Sequence, residues 1–151
     1  MTQPMEIQCK TFWELTNGEL YQLLRLRAEV FVVEQECAYQ DLDNRDQQAL
    51  HLLGTKNGRL VGYTRIFKPG DYFTNAAIGR VVVSRKQRMF GYGKRIVLAS
   101  LALLREQCPD TAIEISAQSY LIPFYTELGF VALGGEYLED GIPHVRMLAK
   151  A

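Results

Sequence analysis

No stretch of this chain approaches the ~18 consecutive apolar residues that a membrane-spanning helix requires, so no membrane span is expected. Nor does the N-terminus carry a long apolar segment, and no secretory leader is expected. Neither sign of charge is in excess: 17 Lys and Arg balance 17 Asp and Glu. A general nucleic-acid binder carries a basic surplus, so no nucleic-acid partner is expected. Cysteine is scarce. Cys9, Cys37 and Cys108 form neither a metal-ligand spacing nor an even disulfide set, which excludes a disulfide framework and points to no metal. Free thiols suit a reducing cytosol, so a cytoplasmic location is expected.

Apolar residues, by contrast, are plentiful. In 151 residues, 48% are hydrophobic and 11% aromatic, enough for one domain spanning 1–151 with its own core. At this size roughly two thirds of the unfolded chain's surface can be buried.

The pattern alternates strand and helix. Residues 5–13 (MEIQCKTFW) read as a strand. Thr16 and Glu19 have the spacing of a capping box, and Leu20, Leu23, Leu24, Ala28 and Phe31 follow at helical intervals, which predicts a helix over about 17–34. CAYQDLDNRDQQ is a polar loop. Asn57-Gly58 joins ALHLLGTK to LVGYTRIF as a hairpin, and AAIGRVVVS continues the meander. A helix over 91–107 ends at Pro109. TAIEISAQ is a strand, and SYLIPFYTELGF a short helix with Ser119 as N-cap and Gly129 beyond its end. FVALGGEYL and PHVRMLAK close the chain through EDGI. The order β-α-β-β-β-α-β-α-β-β is mixed α/β, with a parallel crossover around the 91–107 helix.

One junction carries chemistry. In RMFGYGKR, Gly91 and Gly93 open the second long helix, between Arg88, Lys94 and Arg95. Free amide N–H groups and the positive end of the helix dipole bind anions there, phosphates above all. The alternative is an ordinary strand-to-helix turn with solvated basic residues. A Walker A loop does not fit: Arg88 stands where its first glycine belongs, and Arg95 replaces the magnesium-binding hydroxyl. A dinucleotide fingerprint fails as well, because Ile96 occupies the place of its third small residue.

Arg88-Met89-Phe90-Gly91-Tyr92-Gly93, preceded by GRVVVS and followed about 30 residues on by PFYTELGF, resembles the two signatures of the GCN5-related N-acetyltransferase (GNAT) family. RAEVFVVEQECAYQDLD, HLLG and YLEDGIPHVRM resemble its ElaA-like branch. The resemblance implies a mostly antiparallel sheet with one splayed parallel strand pair, helices on both faces, and acetyl-CoA as cosubstrate. It implies that Val81, Val82 and Val83 lie along the pantetheine arm. Arg88, Phe90, Gly91, Tyr92, Gly93 and Lys94 then hold the diphosphate, and Gln118 stands where many members have an arm-contacting Asn. Tyr125 occupies the position of the family's acid, which protonates the leaving thiolate. Many relatives pair through their sheets, which makes a homodimer an expectation.

The acceptor amine must lose a proton, and three side chains are candidates for the base: Glu34 at the end of the first helix, His144 at the start of the last strand, and His51 on an early strand. Each also has a structural reading, as a solvated carboxylate or a hydrogen-bonded sheet histidine. Glu34 and His51 are candidates for holding the acceptor as well. Arg80 either binds an acceptor carboxylate or pairs with Glu114 on the neighbouring strand. Cys108, far from the loop, reads as structural. Cys37 reads as a loop thiol in preference to a cleft residue. The acidic segment 34–46 either attracts a cationic amine or is a solvated face. The expected activity is direct acetyl transfer to a primary amine on a small molecule or peptide. A non-catalytic acyl-CoA sensor and a nucleotide binder are the rival readings.

Overall fold

The computed structural model describes residues 4–150. Along the chain run β1 (Glu6–Thr11), α1 (Asn17–Arg27), β2 (Leu50–Lys56), β3 (Arg59–Phe67) and β4 (Ala76–Val83). After them come α2 (Tyr92–Gln107), β5 (Ile113–Gln118), α3 (Ile122–Glu127), β6 (Val131–Glu139) and β7 (Ile142–Ala149). The strands form one sheet in the order β1-β2-β3-β4-β5-β7-β6. Every neighbouring pair is antiparallel except β4 and β5. Element order and mixed sheet are those the sequence pattern predicts.

Strand alternation sorts side chains onto two faces. One face presents Leu53, Tyr63 and Val82 to Leu23 and Leu26 of α1. The other presents Leu52, Ile66, Ile78, Ile113 and Met147 to Ile96, Val97, Leu101 and Leu104 of α2. Each Leu or Ile so buried contributes roughly 1.5–3 kcal/mol. Gly62 lets α2 lie close, for a Cβ there would run into Ile96, and a Cβ on Gly54 would run into Met5. The predicted hairpin turn forms with φ of 54° at Asn57 and 76° at Gly58, the left-handed pair such a turn requires.

Local details depart from expectation where short-range hydrogen bonds compete with periodicity. The first strand stops at Thr11, because Thr11 and Glu14 cap a single 3-10 turn at Phe12–Glu14. Thr16 and Glu19 form the predicted capping box. The helix they start is α-helical only to Arg27 and continues as a π-helix over Ala28–Glu34, with Gln35 N–H reaching Val30 O and Cys37 N–H reaching Val32 O. Ser119 does not cap α3; it begins a 3-10 turn, and its hydroxyl donates to Glu136.

Candidate active site

The parallel pair β4–β5 is joined only at its beginning, Ala76 opposite Ile113 and Ala77 opposite Glu114. Beyond those positions the strands diverge. On its other side β4 carries an extra residue: Gly79 pairs with Arg65 and Val82 with Tyr63. Three steps along β4 match two along β3, a β-bulge, and Arg80 inside it has φ +49°. The bulge turns β4 out of register where it leaves β5. Val82 points into the α1 core, while Val81 and Val83 pack toward the opposite core.

At the end of β4 a 3-10 segment, Arg85–Phe90, leads to Gly91, which caps α2 with φ +72°. Only glycine takes that conformation without strain. The first-turn amides of Tyr92, Gly93 and Lys94 therefore open α2 without intrahelical acceptors. A side chain on Gly93 would lie against Val83 and Phe124, filling the space between β4 and α3. Phe90 is half exposed, and the Lys56 ammonium sits 4.7 Å from its ring centroid. Arg88 is already engaged: its guanidinium donates to both carboxylate oxygens of Glu34, at 2.7 and 3.0 Å, and its Nε to Val83 O. That pairing holds the Glu34 carboxyl below the usual carboxylate range.

Where β4 and β5 part, a cleft of about 970 Å³, including its open mouth, penetrates the fold. Val81, Gln118, Tyr125, His144 and Arg80 line it together. Glu34 lies outside that lining, beside the glycine loop. His51 is fully buried and also outside it. Its Nε2–H donates to Asp46 O at 2.8 Å and its Nδ1 accepts from the Tyr63 hydroxyl at 2.6 Å. Burial pushes His51 below the ordinary imidazole range, and with both nitrogens engaged it has neither access nor a free lone pair for a substrate.

Tyr125 is 95% buried, fixed by edge contacts with Phe124 and Phe130. Burial pushes its phenol well above the usual value, so it stays protonated at neutral pH. His144 Nδ1 lies 2.7 Å from Ile142 O. A carbonyl only accepts, so Nδ1 is the protonated nitrogen, and Nε2 of the neutral ring keeps its lone pair.

Arg80 is corrected. It does not meet Glu114, which instead binds Arg146 and Asn75. Arg80 Nε donates to Asp41 at 2.8 Å. The acidic segment is corrected with it, for its aspartates are neither solvated nor free to attract a cation. Arg27 binds Asp41 and Asp46, and Arg65 binds Asp43 and Asp46, all between 2.8 and 3.0 Å. Three guanidinium groups neutralise three carboxylates, and Arg27 and Arg65 are almost wholly buried. Burial alone would raise Asp43, but Arg65, the Arg45 amide and Arg80 together outweigh it and hold the carboxyl at about 2. Cys37 is a further correction: it lines the cleft and its thiol donates to Asp140 O. Gln35, Ser116, Glu139 and Asp140 also line the cleft, unforeseen in the sequence. Strand period gives the signal that would have found Ser116, two residues before Gln118 on the same strand face.

Among the described residues no group of three or more His, Cys, Asp or Glu could hold a metal ion. No described helix is long and apolar enough to cross a membrane.

A splayed parallel pair, a glycine-capped helix behind it and a cleft between make this an acyltransferase-type fold, and comparison with known proteins agrees. Residues 18–151 match the family model described as an acetyltransferase (GNAT) domain. The protein ElaA of Escherichia coli strain K12 is 43% identical over 136 residues, 89% of each chain. The crystal structure of Escherichia coli ElaA superposes with a TM-score of 0.90 at 40% identity, covering 97% of this chain and 99% of that one. An acyl-CoA N-acyltransferase from Pseudomonas aeruginosa also gives 0.90 at 40% identity, with 96% and 99% covered. The chain belongs to the GNAT acetyltransferase family.

Proposed function

We propose that this chain, as one domain, moves an acetyl group from acetyl-CoA directly to a primary amine within a ternary complex. The carrying observation is the divergence of β4 from β5 into a cleft lined together by Val81, Gln118, Tyr125 and His144; the loop residues 88–94 follow β4 in sequence and lie outside that lining. Family membership implies an acyl-CoA and an acceptor; the acetyl group and the amine are the finer part of this reading.

The residues present fit such a donor. Its diphosphate would take the Tyr92, Gly93 and Lys94 amides and the Arg88 guanidinium, with Phe90 and Gly91 shaping the approach. Gly93 leaves open a space that any side chain would enter. The pantetheine arm would follow Val81, Val82 and Val83 through their main chains, where β4 lacks β5 as a partner, and would meet the Gln118 amide. The donor supplies an activated acyl thioester. Tyr125 holds a proton for the departing sulfur, and His144 Nε2 is the lone pair that takes the acceptor's proton. Glu34, tied to Arg88 and outside the cleft lining, is the weaker base. His51 has no path to the reaction. Arg80, spent on Asp41, shapes the wall in preference to binding a carboxylate.

The test has two parts: calorimetry with coenzyme A, then a thiol-release screen over small amines and peptides. Heat together with turnover is expected. Binding without turnover of any amine would replace the enzyme reading with that of a sensor.

The ion pair at Arg88 yields a separate expectation. Glu34 occupies the groups a phosphate needs, so Glu34→Gln should tighten coenzyme A binding. A partly exposed pair is worth about 0–1 kcal/mol, so the gain by calorimetry should be at most about fivefold. Weaker binding in Glu34→Gln would mean that Glu34 organises the loop for its ligand.

A further inference from the structure

His144 belongs to a larger assembly at the cleft wall. Its Nε2 lies 3.4 Å from Glu139 Oε2. The other carboxylate oxygen, Oε1, accepts from the Ser116 hydroxyl at 3.2 Å. Ser116 Oγ is hydrogen-bonded in turn to the Tyr137 hydroxyl, and the Tyr137 ring stacks on the His144 ring at 6.2 Å and 22°. These groups come from three adjacent strands, β5, β7 and β6, so the sheet itself fixes their relation. Gln118, His144 and Tyr137 sit in one row of the ladder. Exposure falls off sharply within the pair: the His144 side chain is 7% exposed and that of Glu139 49%. Glu139 thus joins a buried imidazole to water.

The other charged groups are accounted for. Arg146, two residues along β7, is paired with Glu114 of β5. Arg80, across the cleft, is paired with Asp41. Tyr125 keeps its proton, Ser116 and Gln118 are neutral, and the Asp140 carboxylate also lines the cleft but makes no ion pair with His144. Glu139 is the carboxylate within reach of the nitrogen that would receive the proton.

We propose that Glu139 is a positioning residue, held by Ser116, itself bonded to Tyr137, which steadies the protonated His144 ring and passes its proton to solvent. This rests on the reading of His144 as the base. The N–H bond of the attacking amine breaks toward His144 Nε2. That nitrogen then gives its proton to Glu139 Oε2, from which water removes it. The Nδ1 proton stays on Ile142 O throughout, so His144 returns to its starting tautomer.

The chain has only two histidines, so imidazole nitrogen NMR of the labelled protein resolves His144 from His51. The neutral His144 ring should be the Nδ1–H tautomer; an Nε2–H tautomer overturns the inference, with or without a known acceptor. With an amine taken from the thiol-release screen, Glu139→Gln should lower kcat about tenfold and leave the KM for acetyl-CoA unchanged. A Glu139→Gln enzyme with wild-type kcat, beside an inactive His144→Gln, sinks the role of Glu139 alone. Full activity in His144→Gln sinks the reading of His144 as base, and this inference with it.

Discussion

Tyr125→Phe should fold as the parent does, bind coenzyme A with unchanged affinity, and lose about 10²-fold or more in kcat, the usual reach of a positioned general acid. The substitution removes one oxygen. Among the described residues that hydroxyl makes no hydrogen bond, so nothing in the fold depends on it. The ring keeps its contacts with Phe124 and Phe130. Burial raises the phenol, which keeps it protonated at neutral pH, so the proton is in place when negative charge develops on the sulfur. Thiol-release kinetics beside calorimetry separate the two effects. If kcat stays within a few fold while binding is intact, protonation of the sulfur comes from elsewhere and the assignment of Tyr125 is lost.

Arg27→Ala should cost about 3–5 kcal/mol of folding stability, the range for stripping one partner from a buried ion pair. Arg27 is fully buried and makes three hydrogen bonds, to both Asp41 and Asp46 side chains and to Asp41 O. Without it, Asp46 leans on Arg65, and Asp41 on Arg80 and the Tyr39 hydroxyl. Arg25 supplies the control. It lies two residues away on the same helix and pairs with Glu29 at 3.7 Å, both side chains more than half exposed. Arg25→Ala should therefore change stability by less than about 0.5 kcal/mol. Urea unfolding of both variants checks the contrast. Equal effects would mean that the buried cluster is not what holds the 35–48 segment.

The same cluster has a defined acid response. Asp43 and Asp46 are held below their ordinary value of 3.8 by the arginines, against the opposing effect of burial. A depressed carboxyl stabilises the fold above its unfolded-state value and loses that contribution as pH falls through its folded-state value. Stability should thus decline from about pH 4 toward pH 2, and an acid unfolding series measures it.

The sequence made the sheet, the helices and the loop legible because each rests on local rules. Thr16 and Glu19 cap their helix wherever the chain lies, and Asn57-Gly58 turns a hairpin by its own backbone preferences. Gly91 and Gly93 mark an approach that needs no knowledge of distant partners. The fate of Asp41, Asp43 and Asp46 was not legible in that way. Their partners Arg27, Arg65 and Arg80 lie between 14 and 39 residues away, and nothing in CAYQDLDNRDQQ distinguishes a buried carboxylate from a wet one. His51 and His144 looked alike for the same reason. One hydrogen-bonds on both sides inside the sheet, the other keeps a lone pair toward a cleft, and only the tertiary pairing tells them apart. The π-helical stretch escaped because Phe31 and the valines around it satisfy helical spacing whether the turn is wide or tight.

That wide turn has its own consequence. It ends in a short segment fastened to separate shores: Glu34 to Arg88, Gln35 to Gln118 through reciprocal amide contacts of 3.3 Å, and Cys37 to Asp140. Any guest that claims the Arg88 guanidinium unmoors Glu34, and one that claims the Gln118 amide unmoors Gln35. Both moorings belong to the strip that also ties down the opposite lip at Asp140. A guest at Arg88 and a guest at Gln118 would thus compete with one short strip for their partners.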